Sequence, residues 1–333
     1  MSVQAESKQE ESPVLEVSGL RTHFETYRGT VQALDGVELT VKEDEVIGIV
    51  GESGCGKSVT VRSIQRLIRE PGEIVGGEIN YNGQNLLELS EREMRTKIRG
   101  REIAMIFQNP TNALNPTYPV GEQIAEAARE IAGMDAEEAK EEAIRLMDEV
   151  AIPSAEERYG DYPHEFSGGM KQRVLIAKSL ACRPNLLIAD EPTTALDKTT
   201  EAQILNLLDD LRDRYGLSVI LITHDLRVIS RMTDRVVVMY AGQTAEIGPT
   251  REVLNNPVHP YTEGLLEAIP RIRNTQDRLE SIEGTVLDVV DPNDGCRFYD
   301  RCHLAQEYCR ENKPELEQKR EDQPEHVAAC FEV

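Results

Sequence analysis

The stretch Gly51–Ser58, GESGCGKS, has the residue types and spacing of a loop that cradles phosphate groups. Its glycines let the backbone turn closely, so that backbone N–H groups point at phosphate oxygens. Lys57 would neutralise the β- and γ-phosphates, Ser58 would offer a hydroxyl to Mg²⁺, and the helix that follows adds its positive end. The sequence therefore predicts ATP and Mg²⁺ as ligands. The predicted ATP-binding residues of this loop are Gly51, Glu52, Ser53, Gly54, Cys55, Gly56, Lys57, Ser58 and Val59.

A pair of acids ends the apolar stretch Leu186–Pro192, LLIADEP. Asp190 is placed to hold Mg²⁺ through water, and Glu191 can polarise the attacking water as a general base. Two acids that merely cap a strand end are the alternative, which the phosphate loop makes less favourable. The pair predicts hydrolysis of the bound nucleotide.

The segment Phe166–Arg173, FSGGMKQR, has the pattern of a helix start. Ser167 is a good N-cap, and Gly168 and Gly169 leave backbone N–H groups accessible. Such a start suits contact with an anion, although a plain helix cap has the same pattern.

Taken in order, these motifs resemble the nucleotide-binding domain of ABC transporters from about residue 14 to 250. The resemblance implies that Ser167, Gly168 and Gly169 contact ATP held by an opposing subunit. Two ATP molecules would then lie between two such domains, and a lone chain would hydrolyse ATP poorly.

The same resemblance assigns four further residues. It makes Gln108 the glutamine that touches Mg²⁺ and senses the membrane subunit, and Asp197 a residue that acts across the dimer. It makes His224 the histidine that contacts the γ-phosphate. Tyr27 matches the aromatic adenine platform, with a solvated loop tyrosine as the alternative. The predicted catalytic residues are thus Glu191, His224 and Gln108, and the predicted Mg²⁺ ligands are Ser58, Gln108 and Asp190.

Two stretches narrow the family further. Phe107–Pro116 and Asn255–Pro270 resemble the ATPases of dipeptide/oligopeptide importers, whose C-terminal extension begins with a His-Pro-Tyr-Thr element. This resemblance implies two transmembrane permease subunits, a sister ABC ATPase in a heterodimer, and indirectly an extracellular substrate-binding protein. It also implies a peripheral position on the cytoplasmic face of the membrane. Peptides, nickel, opines and sugars remain open as substrates.

Four cysteines crowd into the end of the chain: Cys296, Cys302, Cys309 and Cys330. Four thiolates can hold a [4Fe–4S] cluster, and Arg297 and Arg301 would offset their negative charge. Members of the resembled importer family can carry a cluster in such a tail. Zinc is the alternative, but its ligands more often come in closely spaced C-x₂₋₄-C pairs. Free buried thiols are a third possibility.

The charge of the chain bears on its partners. The net charge is −23, from 60 acidic and 37 basic residues, which disfavours nucleic acid as a ligand. A DNA-repair or chromosome-organising ATPase is the alternative function, but such proteins insert a very long coiled coil between the phosphate loop and the SGG helix start. In this chain only the short segment between Ser58 and Ser167 separates the two motifs. An acidic, lysine-poor surface suits a salt-rich cytoplasm and predicts a halophilic archaeal source, with an ordinary acidic protein as the alternative.

Hydrophobic periodicity indicates the elements that must position these residues. The sequence predicts strands at Val46–Val50, Glu102–Phe107, Asn185–Ala189 and Ser218–Thr223, and a helix over Lys57–Ile68. The last two strands are near-continuous apolar runs, which suggest parallel strands buried on both faces. The predicted fold is α/β: a P-loop ABC nucleotide-binding domain with a helical subdomain, an N-terminal antiparallel β portion and a C-terminal Cys-rich extension. The predicted boundaries are a disordered tail over 1–13, the ATPase domain over 14–250 with its helical subdomain over about 112–180, and the extension over 251–333.

Overall fold

The computed structural model describes residues 12–194, 196–268, 282, 284 and 289–333. The tail predicted over 1–13 therefore lies outside the described residues up to residue 11. The same is true of residue 195, next to the predicted Asp197 motif, and of 269–270 at the end of the importer-like stretch.

An antiparallel sheet forms the N-terminal part, as predicted. Its strands run in the order β2-β1-β4-β5. Alternate apolar residues of the first strand, such as Leu15 and Val17, are fully buried, which fixes the face that packs on the core. The bounds are β1 (Leu15–Thr26), β2 (Gly29–Val41), β4 (Gly72–Tyr81) and β5 (Gln84–Asn85).

A second, mixed sheet forms the centre of the fold, with strand order β11-β12-β10-β9-β3-β8-β7-β6. The strands from β9 to β6 are parallel to one another, whereas β10, β11 and β12 add antiparallel pairs at one edge. Every residue of β3, β7 and β8 is buried, as expected for parallel strands covered on both faces. The bounds are β3 (Val46–Val50), β6 (Ile103–Ile106), β7 (Leu186–Asp190), β8 (Ser218–Ile222), β9 (Arg235–Tyr240), β10 (Gln243–Pro249), β11 (Glu317–Gln318) and β12 (Val327–Ala328).

Helices cover this sheet and form the segment between β6 and β7. In the part of the chain that the structure describes, no helix combines the length and the apolar character needed to cross a membrane. The α-helices are α1 (Lys57–Ile64), α2 (Glu91–Glu93), α3 (Pro110–Ala113), α4 (Val120–Ala127), α5 (Ala136–Glu149), α6 (Ala155–Arg158), α7 (Gly168–Leu180), α8 (Lys198–Tyr215), α9 (Leu226–Met232), α10 (Thr250–Asn255) and α11 (Pro260–Glu267). Single π-helical turns span Met94–Ile98 and Ala128–Ala132, and 3₁₀ turns span Leu86–Glu88, Pro163–Glu165, Tyr299–Arg301 and Glu307–Arg310.

Helix α5 begins with a capping box that we expect to contribute measurably to stability. The Asp135 carboxylate accepts hydrogen bonds from the N–H groups of Glu137 and Glu138, and the Glu138 side chain accepts the N–H of Asp135. Asp135→Ala removes this cap and should lower the free energy of unfolding by about 1 kcal/mol, measured by urea denaturation. Asp148→Ala, an exposed aspartate at the other end of the same helix, is the control and should cost no stability. Equal losses in both variants would contradict the capping role.

The C-terminal extension packs on the edge of the central sheet. Strand β12 pairs with β10, and the fully buried Glu246 on β10 accepts hydrogen bonds from the N–H groups of Val258 and His259. His326, also buried, lies with its Nε2 at 2.6 Å from the same carboxylate. One buried acid therefore joins the start of the extension to its end.

A second anchor of the extension is expected to make stability depend on pH. Burial alone would raise the pKa of the Asp35 carboxyl group. Hydrogen bonds from Lys313 and Gln243, with the positive charges of Lys313 and Arg297, outweigh burial and lower that pKa to about 2. Because the folded pKa lies below the ordinary value of 3.8, the carboxylate stabilises the fold above that pH, and this contribution is lost as the pH falls through about 2.

We therefore expect the stability difference between the unmodified protein and Asp35→Asn to shrink as the pH is lowered across this interval. Urea denaturation of both proteins at each pH measures the difference. A difference that stays constant would show that Asp35 has no such linkage.

Candidate functional site

The phosphate loop joins the end of β3 to the start of α1. Gly54 and Gly56 adopt φ values of +81° and +104°, which side chains rarely tolerate. A Cβ atom on Gly51 would lie 2.2 Å from the carbonyl oxygen of Met239, because the loop passes directly over the end of β9. The glycines are therefore required by the close approach of two backbone segments as well as by the turn.

Lys57 lies inside this loop. Its Nζ donates hydrogen bonds to the carbonyl oxygens of Gly51, at 2.8 Å, and Glu52, at 3.0 Å. Cys55 is fully buried beside it, and burial raises the pKa of the Cys55 thiol, so that this residue packs as a neutral side chain. The lysine ammonium is thus held by the backbone of the phosphate loop, and its predicted role in neutralising the β- and γ-phosphates stays a prediction.

Two of the three predicted magnesium ligands, Ser58 and Asp190, are hydrogen-bonded to each other. The Ser58 hydroxyl donates to a carboxylate oxygen of Asp190 at 3.0 Å, at the point where β7 ends beside α1. Burial raises the pKa of Asp190, which the hydrogen bond from Ser58 partly offsets. A hydroxyl and one carboxylate are a donor set that suits Mg²⁺, which keeps several waters and takes further oxygens from bound phosphates. Gln108 is hydrogen-bonded to Glu191 instead.

Glu191 is the centre of the second group. It has φ +47°, a strained conformation for a residue other than glycine, and such strain is concentrated at functional sites. Its carboxylate accepts hydrogen bonds from Gln108 Nε2 and Thr194 Oγ1, each at 2.8 Å. His224 Nδ1 lies 3.8 Å from the other carboxylate oxygen. The structure thus brings the three predicted catalytic residues together, and adds Thr194.

The helix start at Ser167–Gly169, which is predicted to contact ATP of an opposing subunit, is accessible to solvent. Ser167 caps α7 by accepting the N–H of Met170 at 3.3 Å, and Ser167 and Gly168 are exposed. Asp197 caps the neighbouring α8 and accepts the Thr200 hydroxyl at 2.7 Å, which is the first cause of the lowered pKa of Asp197. A Cβ atom on Gly169 would lie 2.5 Å from Thr200, so the two helix starts are adjacent.

Tyr27 lies in the turn between β1 and β2 and is 99% exposed. An aromatic ring in this position is accessible to a planar ligand. Its predicted role as the adenine platform stays a prediction.

The four cysteines of the extension surround one small cavity of about 20 Å³. All four are free thiols, and Cys296 N–H donates to the Cys309 carbonyl at 2.7 Å. Among the described residues, no group of three or more His, Cys, Asp or Glu side chains is arranged to hold a metal ion. As placed here, the four thiols therefore do not form the predicted [4Fe–4S] or zinc site. Burial raises the pKa of the thiols of Cys296, Cys302 and Cys330, which favours their neutral form.

The two arginines predicted to offset the charge of these cysteines have other partners, which corrects that prediction. Arg297 donates to the carbonyl of Ala241 and to Gln32, and its side chain is 2% exposed. Arg301 forms an ion pair with Glu52 in the phosphate loop, at 2.7 Å. Sequence reasoning missed this contact because it joins residues 249 positions apart.

The sequence is similar to known ATP-binding proteins over most of its length. The sequence profile of the ABC transporter family matches residues 34–194, and the profile described as the C-terminal region of oligopeptide/dipeptide transporters matches residues 245–309. The oligopeptide transport ATP-binding protein OppD of Salmonella typhimurium is 46% identical, over 96% of this chain and 93% of its own length. The dipeptide transport ATP-binding protein DppD of Bacillus subtilis is 48% identical, over 87% of this chain and 86% of its own.

A solved structure gives the same fold. The ATP-binding cassette MJ0796, in a dimeric post-hydrolysis state with ADP and Pi, matches with a TM-score of 0.63 and 27% identity, over 71% of this chain and 99% of that chain. Fold, site geometry and relatives that match nearly the whole length agree. The chain belongs to the ATP-binding subunits of the oligopeptide/dipeptide ABC transporter family and is an ATPase.

Proposed function

We propose that this chain hydrolyses ATP at Glu191 to power the import of di- or oligopeptides through a membrane transporter. The observation that carries the proposal is the meeting of two groups at the carboxyl edge of the central sheet. Ser58 and Asp190 form the first group, and Gln108, Glu191 and His224 form the second. The names of the relatives OppD and DppD support peptides as the transported class.

In this mechanism the phosphate loop and Lys57 would hold the triphosphate, and Ser58 and Asp190 would supply oxygens for Mg²⁺. The Glu191 carboxylate accepts a proton from the attacking water, and its hydrogen bonds from Gln108 and Thr194 fix its orientation. His224, near the same carboxylate, contacts the γ-phosphate. Bound Mg²⁺ supplies charge neutralisation at the phosphates.

A second ATPase subunit completes each site in this proposal. The exposed start of α7 at Ser167 and Gly168 offers N–H donors to a nucleotide held by the opposite subunit. The dimeric arrangement of the similar cassette MJ0796 supports such a pairing. We propose a sister ABC ATPase as the partner, with Asp197 acting across the interface.

The permease subunits would dock on a groove between β6, α4 and α7. It has a volume of about 280 Å³ and an apolar lining that includes Leu67, Met105, Phe107 and Ile131. Phe107, next to Gln108, is 40% exposed. A permease helix in this groove would touch the residue beside the catalytic group, which couples transport to hydrolysis. The chain would then lie peripherally on the cytoplasmic face of the membrane, with an extracellular protein delivering the peptide.

We also propose that the four tail cysteines hold a [4Fe–4S] cluster that pins the extension. Their convergence on one cavity supports this, since four cysteine thiolates are the usual ligands of such clusters. Binding of a cluster would require the four thiols to lose their protons and to move closer together. Iron, sulfide and zinc contents of anaerobically purified protein test the proposal: iron with sulfide supports it, zinc indicates the alternative site, and neither metal overturns both.

The test of function is peptide uptake into proteoliposomes that contain both permeases, this chain and its sister ATPase. We expect ATP-dependent uptake with the complete set, and low ATPase activity for this chain alone. Full ATPase activity of the isolated chain would contradict the two-subunit site. ATPase activity that does not respond to a peptide-loaded binding protein would contradict peptide import.

A further inference from the structure

The C-terminal extension reaches into the phosphate loop at Glu52. The Arg301 guanidinium contacts both carboxylate oxygens of Glu52, at 2.7 Å and 3.1 Å. The Arg301 side chain is only 4% exposed, whereas that of Glu52 is 28% exposed. A two-point, largely buried contact of this kind is stronger and better oriented than an ion pair on the surface.

A second residue of the extension holds the same loop position through its backbone. The Tyr261 hydroxyl accepts the N–H of Glu52 at 2.9 Å. Tyr261 is fully buried and packs against Tyr240 and Phe298, with ring centres 4.7 Å and 5.5 Å away. The ring therefore cannot move away from the loop without disturbing this aromatic cluster.

The extension also supports the hairpin that carries Tyr27. The backbone of Gln32 donates to the Val289 carbonyl at 2.9 Å, and that of Asp291 donates to the Thr30 carbonyl at 3.0 Å. The extension thus contacts both parts of the chain that would meet the nucleotide, the phosphate loop and the turn that presents an aromatic ring.

The contact with Arg301 matters because Glu52 carries a negative charge beside the phosphate-binding site. The carbonyl of Glu52 accepts a hydrogen bond from Lys57, so Glu52 belongs to the shell around the phosphate-binding ammonium. An unpaired carboxylate at this position would repel a triphosphate, and would compete with it for Lys57. Arg301 neutralises that carboxylate by forming an ion pair with it.

We propose that Arg301 and Tyr261 are positioning residues for nucleotide binding, which they promote by holding Glu52 and cancelling its charge. The inference rests on the proposed role of the phosphate loop. It makes the extension a working part of the ATP site and not only an appended domain.

Equilibrium binding of a fluorescent ATP analogue to the full-length chain, with Mg²⁺, tests this inference. Arg301→Gln should weaken binding about tenfold, the order expected for loss of a charge-assisted contact. Because the loss arises from the exposed charge of Glu52, the double variant Arg301→Gln with Glu52→Gln should recover most of the affinity. Arg301→Lys, which keeps the charge but not the two-point geometry, should fall between Arg301→Gln and the unmodified protein.

The matched control is Arg310→Gln, an exposed arginine in the same tail, which should bind the analogue like the unmodified protein. Tyr261→Phe keeps the packed ring but removes the acceptor, and should weaken binding even if Arg301→Gln does not fold. A double variant that binds no better than Arg301→Gln would overturn the inference, because a structural role for Arg301 predicts no rescue. Unchanged binding in both Arg301→Gln and Tyr261→Phe would also overturn it.

Lys57→Ala separates this inference from the function on which it rests. Loss of binding in Lys57→Ala with unchanged binding in both Arg301→Gln and Tyr261→Phe would reject the inference alone. Retained binding in Lys57→Ala would reject the phosphate site itself.

Discussion

Replacing Glu191 with glutamine is expected to lower kcat for ATP hydrolysis by about 10²- to 10⁴-fold, the usual contribution of a general base. The amide has nearly the same shape and can still accept the hydrogen bonds from Gln108 and Thr194, so the geometry of the site should survive. It cannot take a proton from water. ATP affinity should therefore remain close to that of the unmodified protein, as measured by analogue binding and steady-state hydrolysis with the sister subunit.

Glu157→Gln is the control for this experiment, since Glu157 is exposed on the helical segment away from β7. It should leave kcat unchanged. If Glu191→Gln lost both affinity and kcat, Glu191 would be acting through the architecture of the site. If kcat did not fall, another group would have to be the base.

His326→Ala is expected to cost about 3–5 kcal/mol of stability, because it removes one partner of a fully buried pair and leaves the Glu246 carboxylate with only the backbone N–H donors of Val258 and His259. Both side chains are completely inaccessible to solvent, so water cannot replace the imidazole without opening the packing. Urea denaturation followed by circular dichroism measures the loss. Tryptophan fluorescence cannot be used, since the chain contains no tryptophan.

The matched variant is His303→Ala, which removes a histidine of the same tail whose side chain is 62% exposed. It should have little effect on stability. A loss in His326→Ala no larger than that in His303→Ala would show that the Glu246 contact does not anchor the tail. Limited proteolysis should cut the tail of His326→Ala first if the anchor is real.

Local patterns predicted the fold well because its elements carry strong local signals. The buried run of β3 has the predicted bounds, and β6, β7 and β8 lie within one residue of theirs. Helix α1 was expected to reach Ile68 but ends at Ile64, because Arg66 adopts a left-handed conformation with φ +51° and starts a turn. Nothing in the apolar spacing of that helix marks its end.

Some residues of the candidate site could likewise be predicted from local motifs, and others could not. Ser58, Asp190 and Glu191 could be predicted as site residues because each belongs to a short motif at the end of a strand. The partner of Arg301 could not, because the sequence places it beside Cys302 and the fold takes it to Glu52. Thr194 was missed because a single threonine after the acidic pair has no pattern of its own.

The pairing of β12 with β10 has a consequence for how the protein is made. Val327 and Ala328 are made long after their partners Ile247 and Glu246, so a growing chain presents this edge of β10 unpaired until both residues have been added. Unpaired edges recruit other strands, and the acidic character of the chain is one protection against this during translation. The contact between Arg301 and Glu52 likewise joins parts of the chain made far apart in time. A nascent chain truncated before residue 301 would carry the whole nucleotide motif set and still lack the arginine that neutralises Glu52.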